Sequence, residues 1–472
     1  MFVAQAVWGY TGRAMSQRFR TCSLDQPFLL PPSLQQWLPE DHLARFLAEV
    51  VERLDLSAIY VCYEREDGRG AEGYHPLLLV RVLLYGYCTG RVSSRQMERL
   101  THEDVAFRYL AADQHPDHDT IATFRRMHLE ALAGVFGQTL ALCREAGLVK
   151  AGVVVLDGTK VGANASRRQS HDEKGLARER DRLAEMARRL LEQAEQVDAE
   201  EEARYGKGQR GGELPEELAT VERRRKRLDQ AQAELQRQAR ERAAQAERER
   251  AAKKAAGEAQ TEAEKKRWSR AKKALQDNQA QYNLTDPDSQ LMRDSRTGGF
   301  LQGYNAQAAV LVNQIIVAAE VSSQATDKQQ LVPMTAKLEQ TLGAKPETLL
   351  ADAGYWSEEA VRDERLAGVN LLVSPDQGTP GEAPKKNSPR SAAAVAMRQK
   401  LGTVVGARLY RLRKQTVEPV FGQIKQARGF RCFLLRGREQ VDAEWKLICA
   451  GHNLWKMFRA GGVRLLAAPA AG

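Results

Sequence analysis

The chain has 472 residues, room for about three domains with buried cores. Lysine and arginine outnumber aspartate and glutamate 71 to 61, a net charge of +10 that calls for an acidic polymer or an anionic membrane surface as partner. No apolar run approaches the ~18 residues of a membrane span, which leaves nucleic acid as the better-supported partner.

Residues 1–29 read as an N-terminal extension with a short apolar start, no cleavage pattern, and Met15 as a candidate natural start. Cys22, Cys62, Cys88, Cys143, Cys432 and Cys449 are scattered without a Cys-x-x-Cys pair. They read as reduced core residues of a cytosolic protein, not as zinc ligands or a disulfide framework.

Residues 30–150 read as helical throughout. SLQQWLPEDHLARFLAEVVERL carries apolar residues at helical spacing, and HPLLLVRVLLYGYCTG is a buried helix stopped by Gly90. Ser93 with Gln96, then Thr101 with Asp104, form tandem capping boxes, and Asp119 can cap a third helix that carries Arg125 and Arg126 near its start. Short helices joined by tight turns resemble a helix-turn-helix that presents Arg125 and Arg126 to DNA; a plain helical bundle is the equal alternative. The His-x-x-His pair in HPDHD (115–119) has no completing ligand cluster and reads as loop and cap.

At 151–161 the pattern changes to a β-branched strand, AGVVVLDGTKV, ending in Asp157; the alternative is a turn aspartate ahead of Gly158. Residues 172–280 are rich in Ala, Glu, Arg, Lys and Gln. A seam of Leu183, Met186, Leu190 and Val197, then Leu214, Val221, Leu228 and Leu235 at seven-residue spacing, predicts an antiparallel coiled-coil hairpin turning at 205–215 and broken near Gly257. Its charges read as a solvated face, with DNA contact along the arm as the alternative. Strands resume as a hairpin over 300–322 with an Asn-Gln turn, followed by a helix from Asp327 to about Leu342 and a strand ending at Asp352. A helix capped by Ser357, a strand at 368–375, a loop over 376–395 and a loose tail over 460–472 complete the reading.

From Ala383 to Arg438 the only acidic side chain is Glu418, set in RLYRLRKQTVEPVFGQIKQAR (408–428). Thr416 can cap a helix with Pro419 in its first turn, and Glu418 and Lys425, seven residues apart, then share a face. A salt-bridging glutamate on a solvated helix is the plain alternative. Asp157, Asp352 and Glu418, on strand ends and on a helix, can converge on two divalent cations; oxygen-only ligands select Mg²⁺ or Mn²⁺, and such a pair serves phosphodiester chemistry.

VVLDGTKV, GYNAQAAV, LLADAGY and the Tyr-x3-Lys-x3-Glu-x6-Lys pattern of Tyr410, Lys414, Glu418 and Lys425 resemble the DDE transposases of bacterial insertion sequences. The resemblance is to the insertion-sequence-four/five superfamily and its eleven-eighty-two type, extends to PDHDTIATFRR (116–126), and runs from about residue 17 to 459. It implies an α/β chain: a ribonuclease-H-like catalytic domain (151–171 and 281–459), interrupted by the coiled coil (172–280) and preceded by the all-α domain (30–150). It implies Asp157, Asp352 and Glu418 as the catalytic, metal-binding triad, with Tyr410, Lys425 and a basic residue between them on DNA. Arg413 meets the family's spacing from the tyrosine and Lys414 its spacing to the glutamate. Tyr355 and Trp356 either stack on a base or pack against the sheet.

The implied activity is binding of double-stranded terminal inverted repeats, strand cleavage and joining to target DNA, by a cytoplasmic, nucleoid-associated enzyme that is at least a homodimer when active. The rival reading is a sequence-specific DNA-binding protein with a vestigial core; a coiled-coil scaffold is a more distant one.

Overall fold

The computed structural model describes residues 33–63, 73–150, 152–205, 216–255, 262–273, 280–294, 298–376, 391–462 and 464. The expected N-terminal extension, residues 206–215 of the coiled-coil turn with Leu214, Gly257, and most of the C-terminal tail lie outside them. The chain is mixed α/β and mostly helical.

Its first block comprises α1 (Leu34–Trp37), α2 (Leu43–Glu52), α3 (Ser57–Tyr60), α4 (Pro76–Thr89), α5 (Ser94–Glu103), α6 (Val105–Leu110), α7 (His118–Met127) and α8 (Leu129–Glu145). The single helix expected from Ser33 is split at Leu38, whose extended backbone suits the residue before a proline, and resumes after His42, whose Nδ1 accepts from Ala44 N. Gly90 stops α4 as expected, at φ +77°. Ser93 stands at the N-cap of α5 as expected, without a side-chain cap bond, and the second cap shifts. Thr101 is buried inside α5 and donates to Glu98 O, while Asp104 caps α6 by accepting from the amides of Ala106 and Phe107 at 2.9 and 3.0 Å. Asp117, not Asp119, caps α7 through the amide of Thr120.

The second block runs β1 (Val153–Gly162), β2 (Ser170–His171), α9 (Glu173–Tyr205), α10 (Glu216–Ala255), α11 (Glu262–Lys273), β3 (Tyr282–Asn283), β4 (Gln290–Arg293), β5 (Phe300–Leu311) and β6 (Ile316–Ser322). It continues with α12 (Leu331–Leu342), β7 (Thr348–Ala351), α13 (Glu358–Val361), β8 (Asn370–Val373), α14 (Ala392–Gly402), α15 (Val404–Gly422) and α16 (Arg438–Ala460). Six strands form one sheet in the order β4-β5-β1-β7-β8, with β6 also on β5. β1 is antiparallel to β5 and parallel to β7, and β7 is parallel to β8. This mixed sheet is consistent with a ribonuclease-H-like core.

Several boundaries differ from the sequence reading, among them the start of α12, at Leu331 instead of Asp327. β1 does not end at Asp157 but continues to Gly162, because β5 pairs with it from Val154 to Gly162. Of the loop expected over 376–395, residues 377–390 lie outside the described residues, and α14 begins at Ala392, where Ser391 accepts from Ala394 N ahead of a helix-forming AAAVAMRQK stretch. Thr416 is no cap: α15 starts at Val404, capped by Thr403, and runs through Thr416 and Pro419 without a break. Pro419 cannot donate a backbone hydrogen bond, and directly beyond it the helix widens into a π turn over Gln423–Ala427.

One hydrophobic core joins both blocks. α16 is its axle: Trp445 is fully buried and donates to Gln307 O on β5, and Asn453 exchanges two hydrogen bonds with the backbone of Ile316 on β6. Where α4 approaches α16, a Cβ on Gly451 would lie 3.0 Å from Tyr87 C. Helices α9 and α10 lie side by side in opposite directions, with Arg224 on Glu179 and Gln236 on Glu173, and bury Leu176, Leu183, Leu228 and Leu235 between them. Their base is tied by the β2–β3 pair.

Candidate active site

The parallel pairing of β1 and β7 puts Leu156 opposite Ala351, so the next residues, Asp157 and Asp352, stand side by side. Each carboxylate is anchored at its own strand: Asp157 accepts from the amide of Gly158, and Asp352 from that of Gly354, both at 2.8 Å. Burial, then the neighbouring Asp352, pushes the Asp157 carboxyl up to about 7. Asp352 is raised as well, again chiefly by burial.

Helix α15 lays Arg413 against this pair, with its guanidinium 3.8 Å from Asp157 Oδ2 and 5.8 Å from the ring centre of Tyr410. Tyr410 is buried beneath it, and its hydroxyl titrates high because of that burial. Arg413 thus faces the carboxylates, while Lys414, one residue on, is exposed.

A third carboxylate completes the cluster, and the sequence reading did not single it out. Asp327 precedes α12 and accepts from Asn305 Nδ2 at 2.6 Å and Gln307 Nε2 at 2.8 Å, with Lys160 Nζ 4.0 Å away. Asn305 and Gln307 are fully buried on β5, opposite Lys160 and Gly158, and Tyr355 donates to Gln307 Oε1. The available signal was GYNAQAAV: two amides at period two in an otherwise apolar strand demand polar partners. Gly158 has a steric role here. A Cβ would sit 2.4 Å from Gln307 Nε2, 2.6 Å from Asp327 Oδ1 and 2.8 Å from Asn305 Oδ1.

Glu418 is on the same helix as Arg413 but is solvent-exposed, without a hydrogen bond or ion pair to a described residue. Lys425 is buried and its ammonium donates to Lys160 O on β1. The seven-residue spacing keeps two positions on one face only while the helix keeps its 3.6-residue turn, and the π turn interrupts it at Gln423. Among the described residues no three His, Cys, Asp or Glu side chains form a ready-made metal cage.

In the helical block, Arg125 is buried and donates to Val92 O at 3.0 Å, so its charge is turned into the protein, whereas Arg126 is exposed. Tyr355 and Trp356 are both buried, which is the packing role. His118 bonds Glu98 at 2.8 Å and His102 stacks on His115, structural roles for the HPDHD segment.

Residues 32–127 match the family described as a transposase domain (DUF772), and residues 382–458 match the family described as a transposase DDE domain. The chain carries a transposase DDE domain. The DDE match takes in α14, α15 with Glu418, and α16; Asp157 and Asp352 lie between the two matched segments. No curated protein and no solved structure matches the chain.

DDE transposases generally use divalent metals. The residues present fit such a group: the donors are all oxygens, two partly buried aspartates stand side by side with the carboxyl of Asp157 raised to about 7, and the buried Oδ1 of Asn305 has no hydrogen-bond partner. A cation would offset the burial, and the smaller repulsion from neighbouring carboxylates, that raise both carboxyls.

Proposed function

We propose that the chain is the transposase of a bacterial insertion sequence in the insertion-sequence-four/five superfamily, of the eleven-eighty-two type. It binds the element's terminal inverted repeats, cleaves a strand at each end and joins the freed 3′-hydroxyl to target DNA. The observation that carries this reading is the placement of Asp157 beside Asp352 on adjacent parallel strands, under the helix of Arg413 and Glu418.

Asp157, Asp352 and Glu418 would hold two Mg²⁺ or Mn²⁺ ions, and those ions, when bound, supply Lewis-acid stabilisation and an activated nucleophile for in-line displacement. Glu418, without a partner among the described residues, is the arm that closes on the pair. Arg413 offsets the aspartate charge and holds the Asp157 side chain toward the helix. Asp327, bracketed by Asn305, Gln307 and Lys160, fixes the floor of the site. Lys425, Lys414 and Arg126 are cationic contacts for phosphate, Lys425 by swinging its ammonium from the β1 carbonyl.

Helices α9 and α10 are the arms of a coiled-coil insertion in a ribonuclease-H-like domain, and the helices before residue 150 form the end-binding domain. Paired cleavage of two ends requires at least a dimer. The exposed position of Glu418 favours one rival, a DNA-binding protein whose core is vestigial.

Product mapping separates the two. Incubated with Mg²⁺, the protein should incise a labelled duplex at the element boundary and leave a 3′-hydroxyl, and chelator should abolish incision while sparing binding. Binding without incision at any metal concentration supports the vestigial core.

A further inference from the structure

Away from the carboxylates, a groove of about 560 Å³ opens between helix α10 and the edge of the sheet domain. Arg223, Arg224 and Arg227 line one wall; Arg436, Gln169 and Thr285 line the other, and no described residue lining it is acidic. The three arginines at i, i+1 and i+4 form one exposed ridge. Arg224 spends part of its charge on Glu179 at 2.8 Å, but Arg227 has no hydrogen bond or ion pair to a described residue. Arg436 is aimed rather than loose: its Nε donates to Asn164 O at 2.8 Å, which leaves the rest of the guanidinium to the groove. The backbone next to it is pinned, with Gly437 N on Asp286 and Arg438 N on Asp288.

Arginines facing each other across a groove, with a hydroxyl and an amide between them, are suited to the phosphodiester backbone. The groove is also placed to continue a duplex bound at the carboxylates. Asn164, the anchor of Arg436, lies seven residues beyond Asp157 along β1 and its extension, at most ~23 Å at about 3.3 Å per residue. That span corresponds to roughly six or seven base pairs at about 3.4 Å each.

We infer that the groove between α10 and Arg436 is a second seat for the duplex backbone, gripping DNA within about two-thirds of a helical turn of the cleavage point. The inserted helices are then a DNA clamp and not only a solvated arm. This rests on the proposed transposase reading, and it assigns the clamp to residues outside the carboxylate site.

The test uses the full chain and two duplexes carrying the element's end, one extending past the cleavage point on the groove side and one truncated there by about seven base pairs. Anisotropy titrations over a range of salt compare wild type, Arg227→Gln, and Arg223→Gln/Arg227→Gln, with circular dichroism melts confirming the fold. Each lost phosphate contact lowers the salt slope by about 0.9, so the double variant should lose nearly two units of slope and several-fold to tenfold affinity on the long duplex. On the truncated duplex it should match wild type. Equal binding of the long duplex by all three proteins, or equal losses on both duplexes, overturns the clamp. If wild type binds neither duplex in a salt-dependent way, the transposase reading itself fails, a separate outcome.

Discussion

Replacing Asp157 by asparagine should stabilise the metal-free protein while destroying its site. The carboxyl is only 17% exposed, and it titrates at about 7 instead of 3.8 because burial and Asp352 penalise its charge. The folded state therefore holds this proton more tightly than the unfolded chain, so the associated stability is complete below pH 3.8 and is lost as pH rises through about 7. A rise of that size corresponds to about 4 kcal/mol at pH 8, and relaxation and water entry reduce this to roughly 2 kcal/mol. Asparagine keeps the oxygen that accepts from Gly158 and removes the charge. Urea unfolding in EDTA should show the variant about 2 kcal/mol more stable at pH 8 and indistinguishable at pH 4, and millimolar Mg²⁺ should narrow the gap by stabilising wild type alone. A variant less stable than wild type at pH 8, or a difference independent of pH, refutes the electrostatic account of the site.

Gly158→Ala drives a methyl into Gln307, Asp327 and Asn305, and should cost about 1–3 kcal/mol in urea unfolding and abolish cleavage even where the fold survives. His452 is fully buried, held between Arg428 at 2.9 Å and Gln314 O, and pushed down to about 3 by burial and then by Arg428; its neutral form supports the fold above pH 6.5, and that support is lost as pH falls toward 3. Wild type should lose roughly 2–3 kcal/mol by pH 4.5 from this residue, and His452→Gln should flatten that slope in acid titration. Trp445→Ala empties the centre of α16 and frees Gln307 O, for a loss of about 3–5 kcal/mol read by thermal melting.

The strands and the two aspartates were legible because the β-branched and aliphatic runs in VVVLDGTKV and LLADAGY are too short for a buried helix and suit a buried strand. Parallel strands covered on both faces need such runs, and the β1–β7 register then sets Asp157 beside Asp352. Asp327 was not legible. It was read as the start of a helix, and only folding brings it back to Asn305 and Gln307 on β5. Helix α15 was misread at Thr416 because a threonine three residues before a proline has the local features of a helix start, whereas Thr403 supplies the cap and burial holds the helix together through Pro419. The side-chain fate of Arg125 was equally hidden: a basic residue near a helix start looks like a DNA contact until a carbonyl such as Val92 O is found beside it.

Whether the carboxylates cut DNA is tested most directly by Glu418→Gln, an exposed side chain whose substitution changes charge and not size. Binding and Mg²⁺-dependent nicking are measured on one duplex carrying the element's own end. If Glu418 is the third metal-binding carboxylate, the variant binds as wild type does and nicks at least a hundredfold more slowly. Nicking by the variant at the wild-type rate would contradict that role.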